Sequence, residues 1–255
     1  MCNLSNVAPR VLKAFTEWRG SPAILRVMEE FPGLEVYVAG GAVRNLLLDA
    51  DARVRDFDLF LGGSSVDRAL ERLAQAGRMN HGVYGNIHWW PCGDEPVRGD
   101  LILVSRFQSN GPCRNILDVL NQFDFTGNAV GVDLRTGAVL DPQNGVRDMR
   151  RRLMRAVRFD TPDVPISPGH VLRRTVCLWY RILHYAAALQ LRIEPATMRW
   201  LQAHSEYRRY REAFIREFKT PHPDALLIYD RCFEARGLEE EGAGARGCLP
   251  ANAYA

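Results

Sequence analysis

Two neighbouring stretches decide how this chain is read: Val38-Ala39-Gly40-Gly41-Ala42-Val43-Arg44 and, shortly after, Arg55-Asp56-Phe57-Asp58-Leu59-Phe60-Leu61. Leu34 to Ala39 is a short apolar run that stops at a diglycine, the pattern of a buried strand entering a tight turn. Ala42 to Leu48 then reads as a helix, and Arg55 to Leu61 alternates as a strand. Residues two apart in a strand share a face, so Asp56 and Asp58 project together while Phe57, Leu59 and Leu61 face the core. Adjacent carboxylates repel each other, and a hard divalent cation such as Mg²⁺ relieves that repulsion. Glycines at a strand-to-helix turn let backbone N–H groups approach a phosphate, and a helix N-terminus favours negative charge. Either element alone is common. Their order, strand then GGAVR then helix then strand with D-x-D, is restrictive and describes a site for a metal and a triphosphate.

Upstream, Leu12, Phe15 and Trp18 recur at helical spacing, and Ser21-Pro22 supplies a cap and a first-turn proline for a second helix ending at Glu30. Downstream, Ser64 and Ser65 cap a helix over 66–76. Strands are expected around 84–90 and 100–104, and a helix over 115–120. Asn128 to Asp133 and Ala138 to Leu140 flank Arg135-Thr136-Gly137 as a hairpin. Three prolines between Thr161 and Pro168 mark a stiff connector. Residues 169–236 carry helical periodicity, including a helix start at Thr220-Pro221. The Gly-, Ala- and Glu-rich end reads as a disordered tail. The expected division is therefore 1–160, 161–236 and 237–255.

The chain's 255 residues, 47% of them hydrophobic, suffice for a proper core. No window approaches the roughly 20 apolar residues of a bilayer-spanning helix. Met1 to Arg10 lacks the basic start and apolar stretch of a secretory signal, so a cytoplasmic protein without membrane contact is expected. The six cysteines are scattered with no C-x-x-C pair, as ordinary reduced thiols are. The net charge of +3 says little about partners, and the arginines, all but two of the 33 basic residues, are spread along the chain rather than gathered in a patch.

In these motifs the chain resembles the class II tRNA nucleotidyltransferases (CCA-adding enzymes) and bacterial poly(A) polymerases, members of the polymerase β-like nucleotidyltransferase superfamily. The family pattern GGxVRDxLL, then DxDL, is matched by Gly40, Gly41, Val43, Arg44, Leu47, Leu48, Asp56, Asp58 and Leu59. Asp124-Phe125-Thr126-Gly127-Asn128-Ala129 is similar to DFTxNA, and Asp141-Pro142 with Gly145-Val146-Arg147-Asp148 to DPxxGxxDL. Arg181 to Leu189 and Ile193 to Thr197 look like the family's neck helices, so the likeness runs over about residues 34–200. Asn45 stands where the family has aspartate, and Gln122-Phe123 where it has a ribose-reading arginine. Arg174, Thr175 and Leu178 stand in place of its base-selecting E-D-x-x-R.

The resemblance implies an α/β (α+β) fold: a polymerase β-like nucleotidyltransferase head with a mixed sheet and flanking helices, then a helical neck. It implies Mg²⁺-dependent transfer of a nucleoside monophosphate from an NTP, ATP or CTP, to an RNA 3′ hydroxyl, tRNA included. Asp56 and Asp58 would hold two Mg²⁺ ions, with Asp100 the candidate third carboxylate that orients the attacking hydroxyl. Gly40, Gly41, Arg44 and Asn128 would be nucleotide-side contacts, and Asp124 an architectural one. The other readings are the same chemistry on a small molecule or protein, and a catalytically silent RNA-binding relative. Arg147, Arg151, Arg155 and Arg158 would form an RNA track if their stretch were helical. Tyr207-Arg208-Arg209-Tyr210-Arg211 has the aromatic and basic interleaving of single-strand binders, although helical packing explains it as well. His81, His88 and Trp89-Trp90 are expected to pack rather than bind metal.

Overall fold

A computed structural model describes residues 6–82, 85–91, 97–107 and 111–231. Two helices open it: α1 (Val7–Glu17) buries Val7, Val11 and Phe15 at four-residue spacing, and α2 (Ser21–Glu30) carries Pro22 in its first turn. The cap of α2 falls one residue earlier than the sequence suggests. Gly20 is the N-cap, and the Ser21 hydroxyl donates to Thr16 O at 3.2 Å instead.

The strands that matter most are β1 (Leu34–Ala39) and β2 (Asp56–Gly63), with α3 (Gly41–Leu48) between them and α4 (Val66–Ala74) after them. Next come β3 (Gly77–His81), β4 (Ile87–Pro91), β5 (Arg98–Leu103), a 3₁₀ turn over Val104–Arg106, and α5 (Ile116–Leu120), capped by the Asn115 side chain. The hairpin β6 (Gly131–Asp133) and β7 (Val139–Leu140) closes the sheet, whose order is β3-β4-β5-β2-β1-β6-β7. β2 and β5 are parallel and the other pairs antiparallel, so the sheet is mixed, as expected.

Alternation along the strands sorts side chains to two faces. Val36 and Val38, Phe57, Leu59 and Leu61, and Leu101 and Leu103 join α1, α2 and α4 in one core. On the other face Ala39 and Phe60, with Ile102 at the margin, pack on Ile116, Val119 and Leu120 of α5. Asp56, Asp58 and Asp100 share this second face, at the strand ends beyond the apolar cover.

After α6 (Gly145–Arg150) and β8 (Leu153–Met154) the chain builds α7 (Arg174–Ala188), β9 (Arg192–Ile193), α8 (Pro195–Ala203), a 3₁₀ helix over Ser205–Tyr210 and α9 (Arg211–Glu217). Their core gathers Trp179, Tyr180, Ile182, Leu183, Leu201 and Phe214 with four residues from before 160: Phe125, Met149, Met154 and Ala156. Partly buried Leu47 of α3 touches both this core and that of the sheet.

Several expectations are corrected. β3 was not anticipated, because Gly77-Arg78-Met79-Asn80-His81 is polar and exists as a strand through its pairing with β4. The region read as wholly helical contains β9, paired with β8, and helix resumes only at 225–231 rather than at Thr220-Pro221. Helix α6 stops at Arg150 and Arg152 takes a left-handed φ of 49°, so Arg147, Arg151, Arg155 and Arg158 form no single track. Arg155 instead donates to Asp148 at 2.8 Å, and Arg158 to Asp160 at 2.6 Å. Residues 161–168 form no regular element, and Asp163 ties them to Arg173 at 2.6 Å. The expected tail at 237–255, with Tyr84, Cys2, Cys92, Cys232 and Cys248, lies outside the described residues. Cys113 and Cys177 are free thiols. Among the described residues no helix is long and apolar enough to cross a membrane.

Candidate active site

The turn between β1 and α3 sits directly on the aspartate pair. Gly40 has φ of 76°, a conformation that costs other residues strain, and a Cβ there would overlap Asp58 Oδ2. Gly40 N–H donates to Asn128 O at 3.2 Å, and Gly41 N–H points to Asp58 Oδ2 at 3.4 Å. The diglycine is therefore what lets the backbone lie against the carboxylate.

One turn into α3, Arg44 is 6% exposed. Its Nε and Nη2 reach Asn45 Oδ1 at 3.1 and 2.9 Å, and Nη1 donates to Asn128 Oδ1 at 2.7 Å. The guanidinium carbon stands 4.6 Å from the Tyr185 ring centroid, a cation–π contact. Burial, more than any neighbour, lowers the Arg44 pKa. Asn128 passes the network on by donating to Asp124 Oδ1 at 2.9 Å, and Arg181 grips Asp124 Oδ2 at 2.6 and 2.8 Å. Asn128 thus joins Arg44 to Asp124, and Asp124 joins the sheet side to α7.

Asp58 on β2 and Asp100 on the neighbouring β5 are register partners, as are Asp56 and Arg98. Burial pushes the Asp58 carboxyl up to about 7, reinforced by Asp56 and Asp100 and opposed by the Gly41 N–H. Asp56 is raised as well, by burial first and then by Asp100. Asp56 and Asp58 are adjacent hard oxygen donors whose charge is strained at neutral pH, which suits a divalent cation. Asp100 does not complete a ready-made trio with them. Its Oδ1 is held by His88 Nδ1 at 2.6 Å and Arg98 Nε at 2.8 Å. Among the described residues no three His, Cys, Asp or Glu side chains gather as a metal-binding group.

The residues singled out in sequence are linked to one another: Gly40 and Gly41 lie against Asp58, Arg44 bonds Asn128, Asp56, Asp58 and Asp100 sit on the paired strands β2 and β5, and Asp124 is bonded to Asn128. Sequence reasoning gave no role in the site to three side chains. Arg98 reaches Asp100 and comes to 3.9 Å from Asp56, His88 binds Asp100, and Tyr185 stacks on Arg44. The i, i+2 spacing of Arg98 and Asp100 in one strand was an available signal for the first. His88 does not merely pack, whereas Trp89 does, fully buried in the sheet core. Gln122 turns away, to Gly111 O at 3.3 Å and Cys113 Sγ at 3.2 Å. Thr175 and Leu178 are buried, and the Thr175 hydroxyl donates to Asp163, so these positions offer no base-reading group. Tyr207 and Tyr210 are half-buried against the helical core.

No family model matches the chain. Among curated proteins it is similar to a "Multifunctional CCA protein" of Stenotrophomonas maltophilia, 27% identical over 177 residues, covering 65% of this chain and 39% of that one. A "CCA-adding enzyme" of Streptococcus uberis is 26% identical over 206 residues, covering 77% and 47%. The chain thus spans less than half the length of these relatives. Among solved structures it is similar to a "tRNA nucleotidyltransferase complexed with a primer tRNA and an incoming ATP analog", with a TM-score of 0.60 at 21% identity, covering 88% of this chain and 63% of that one. In sequence and in fold, then, the resemblance is to CCA-adding enzymes.

Proposed function

We propose that this chain is a nucleotidyltransferase that moves a nucleoside monophosphate from ATP or CTP to an RNA 3′ hydroxyl, a tRNA end among them. The observation that carries this reading is the Asp56–Asp58 pair lying under the Gly40–Gly41 turn, in a fold similar to one solved with primer tRNA and an ATP analog. Head 1–160, neck 161–236 and a cytoplasmic setting, where NTPs and RNA ends meet, belong to the same proposal.

Asp56 and Asp58 would hold Mg²⁺. The chemistry such an ion would supply is a lowered pKa for an attacking hydroxyl and neutralisation of charge on the nucleotide phosphates. The chain's own groups then divide the remaining work. The Gly40–Gly41 backbone lets phosphate approach closely, and Arg44 supplies a fixed positive charge beside it. Asn128 keeps Arg44 aimed and faces the nucleotide side. Asp100 accepts a hydrogen bond from the attacking hydroxyl and so directs it in line. Since Arg174, Thr175 and Leu178 replace the family's base-selecting residues, and Thr175 and Leu178 are buried, the base is read by other groups.

The test is incubation of the purified protein with Mg²⁺, each labelled NTP in turn and a small-RNA pool, beside the Asp56→Ala/Asp58→Ala variant. Label entering RNA only with the native carboxylates is the expected result. No label with any nucleotide would overturn the RNA acceptor.

A further inference from the structure

His88 of β4 faces Asp100 of β5 across an antiparallel pair, and Asp100 in turn faces Asp58 of β2 across a parallel one. Partners in adjacent strands share a face, so His88, Asp100 and Asp58 form a row across the sheet. The first two touch, with His88 Nδ1 2.6 Å from Asp100 Oδ1. A carboxylate oxygen only accepts, so Nδ1 carries the hydrogen. Asp100 Oδ2, by contrast, has one contact among the described residues, Arg98 Nη2 at 3.4 Å. It is the oxygen left to meet a substrate hydroxyl.

The imidazole is held from behind. The Trp90 ring meets it edge-on with centroids 5.9 Å apart. Gly82 lies so close that a Cβ there would overlap Asn86 Oδ1 and come within 2.8 Å of His88 Nε2. Arg98, the other donor to Oδ1, is a long and more exposed side chain, 37% against 22% for His88. Of the two, the short packed ring is the fixed donor. It is needed because Asp100 stands within electrostatic reach of both Asp56 and Asp58, whose repulsion would swing an untethered carboxylate away from the row.

We propose that His88 is a positioning residue for the attack step. It pins Oδ1 of Asp100 so that Oδ2 presents a fixed acceptor to the attacking hydroxyl, and it neither takes nor gives the proton of the reaction. This rests on the nucleotidyl-transfer reading above and deepens it.

Three substitutions separate positioning from mere packing. His88→Asn keeps an N–H near the place of Nδ1, His88→Gln puts its amide near Nε2, and His88→Leu keeps bulk without a donor. With labelled NTP and an RNA acceptor, His88→Leu and His88→Gln should lower kcat roughly 10–100-fold with KM for NTP unchanged, and His88→Asn should recover most of it. His88→Leu added to Asp100→Asn should cost nothing more. Thermal melts of each variant report the folded fraction. A fully active, folded His88→Leu, no recovery in folded His88→Asn, or additive losses would overturn the positioning role while leaving nucleotidyl transfer intact. If the folded native chain transfers nothing to any acceptor, nucleotidyl transfer itself falls, and the positioning role with it.

Discussion

Gly40 is the residue on which the geometry around Asp58 turns. A methyl group there would meet two penalties, a left-handed backbone and overlap with Asp58 Oδ2. Gly40→Ala should therefore destabilise the protein by about 1–2 kcal/mol and displace Asp58. The measurement is a denaturant melt together with NTP-dependent stabilisation, and the second should fall further than the first predicts. This much was legible in the sequence, since Gly40-Gly41 and Asp56-x-Asp58 carry their meaning in local spacing. His88 and Arg98 were not, because their meeting with Asp100 depends on which strand lies beside which and in what register.

At the scale of elements, α7 is fastened to Asp124 by one ion pair and shaped by one neutral histidine. Asp124 and Arg181, with side chains 12% and 25% exposed, form a largely buried pair whose partners are 57 residues apart. Asp124→Asn leaves Arg181 without its counter-charge and should cost about 2–4 kcal/mol. That corresponds to a fall in Tm on the order of 5–15 °C by calorimetry. Along the same helix, burial and the cations Lys219, Arg181 and Arg44, with His222, hold the His184 pKa at about 4 against an ordinary 6.5. The folded chain then binds fewer protons than the unfolded one between these values, so stability from this group is intact above pH 6.5 and is lost as pH falls toward 4. His184 Nδ1 accepts from the His222 N–H at 2.8 Å, and His184→Asn keeps an acceptor there without titrating. Its Tm should fall less steeply than that of the native protein between pH 6.5 and 4. Equal slopes would show that His184 is not the group responsible. Elements with strong internal pattern, such as α1, β1 and β2, were readable in advance, while β3 and β9 exist through their partners and left no local trace.

For the whole molecule, the two cores overlap in the chain. Phe125, Met149, Met154 and Ala156 precede residue 160 yet are buried with α7 and Phe214, and Leu47 touches both cores. The break near the prolines is visible in the sequence, but the sharing of side chains across it is not. A fragment of residues 1–160 would expose those four side chains. It is expected to aggregate or bind a hydrophobic dye, and to melt without the cooperative transition of the intact chain.

The parallel pairing of β2 with β5 also bears on how the chain reaches its final form. Parallel neighbours cannot be joined by a tight turn, and here α4, β3 and β4 intervene between Gly63 and Arg98. Asp100 therefore meets Asp58 only after that excursion has closed, a long loop with the slow kinetics of non-local contacts. During synthesis, at about 5–20 residues per second, the β1–β2 pair can form seconds before β5 is complete. For that interval Asp56 and Asp58 stand at an open sheet edge with water around them, and Asp100 arrives to crowd them last. The chain thus postpones the crowding of Asp56 and Asp58 by a third carboxylate until most of the sheet that must withstand it is already built.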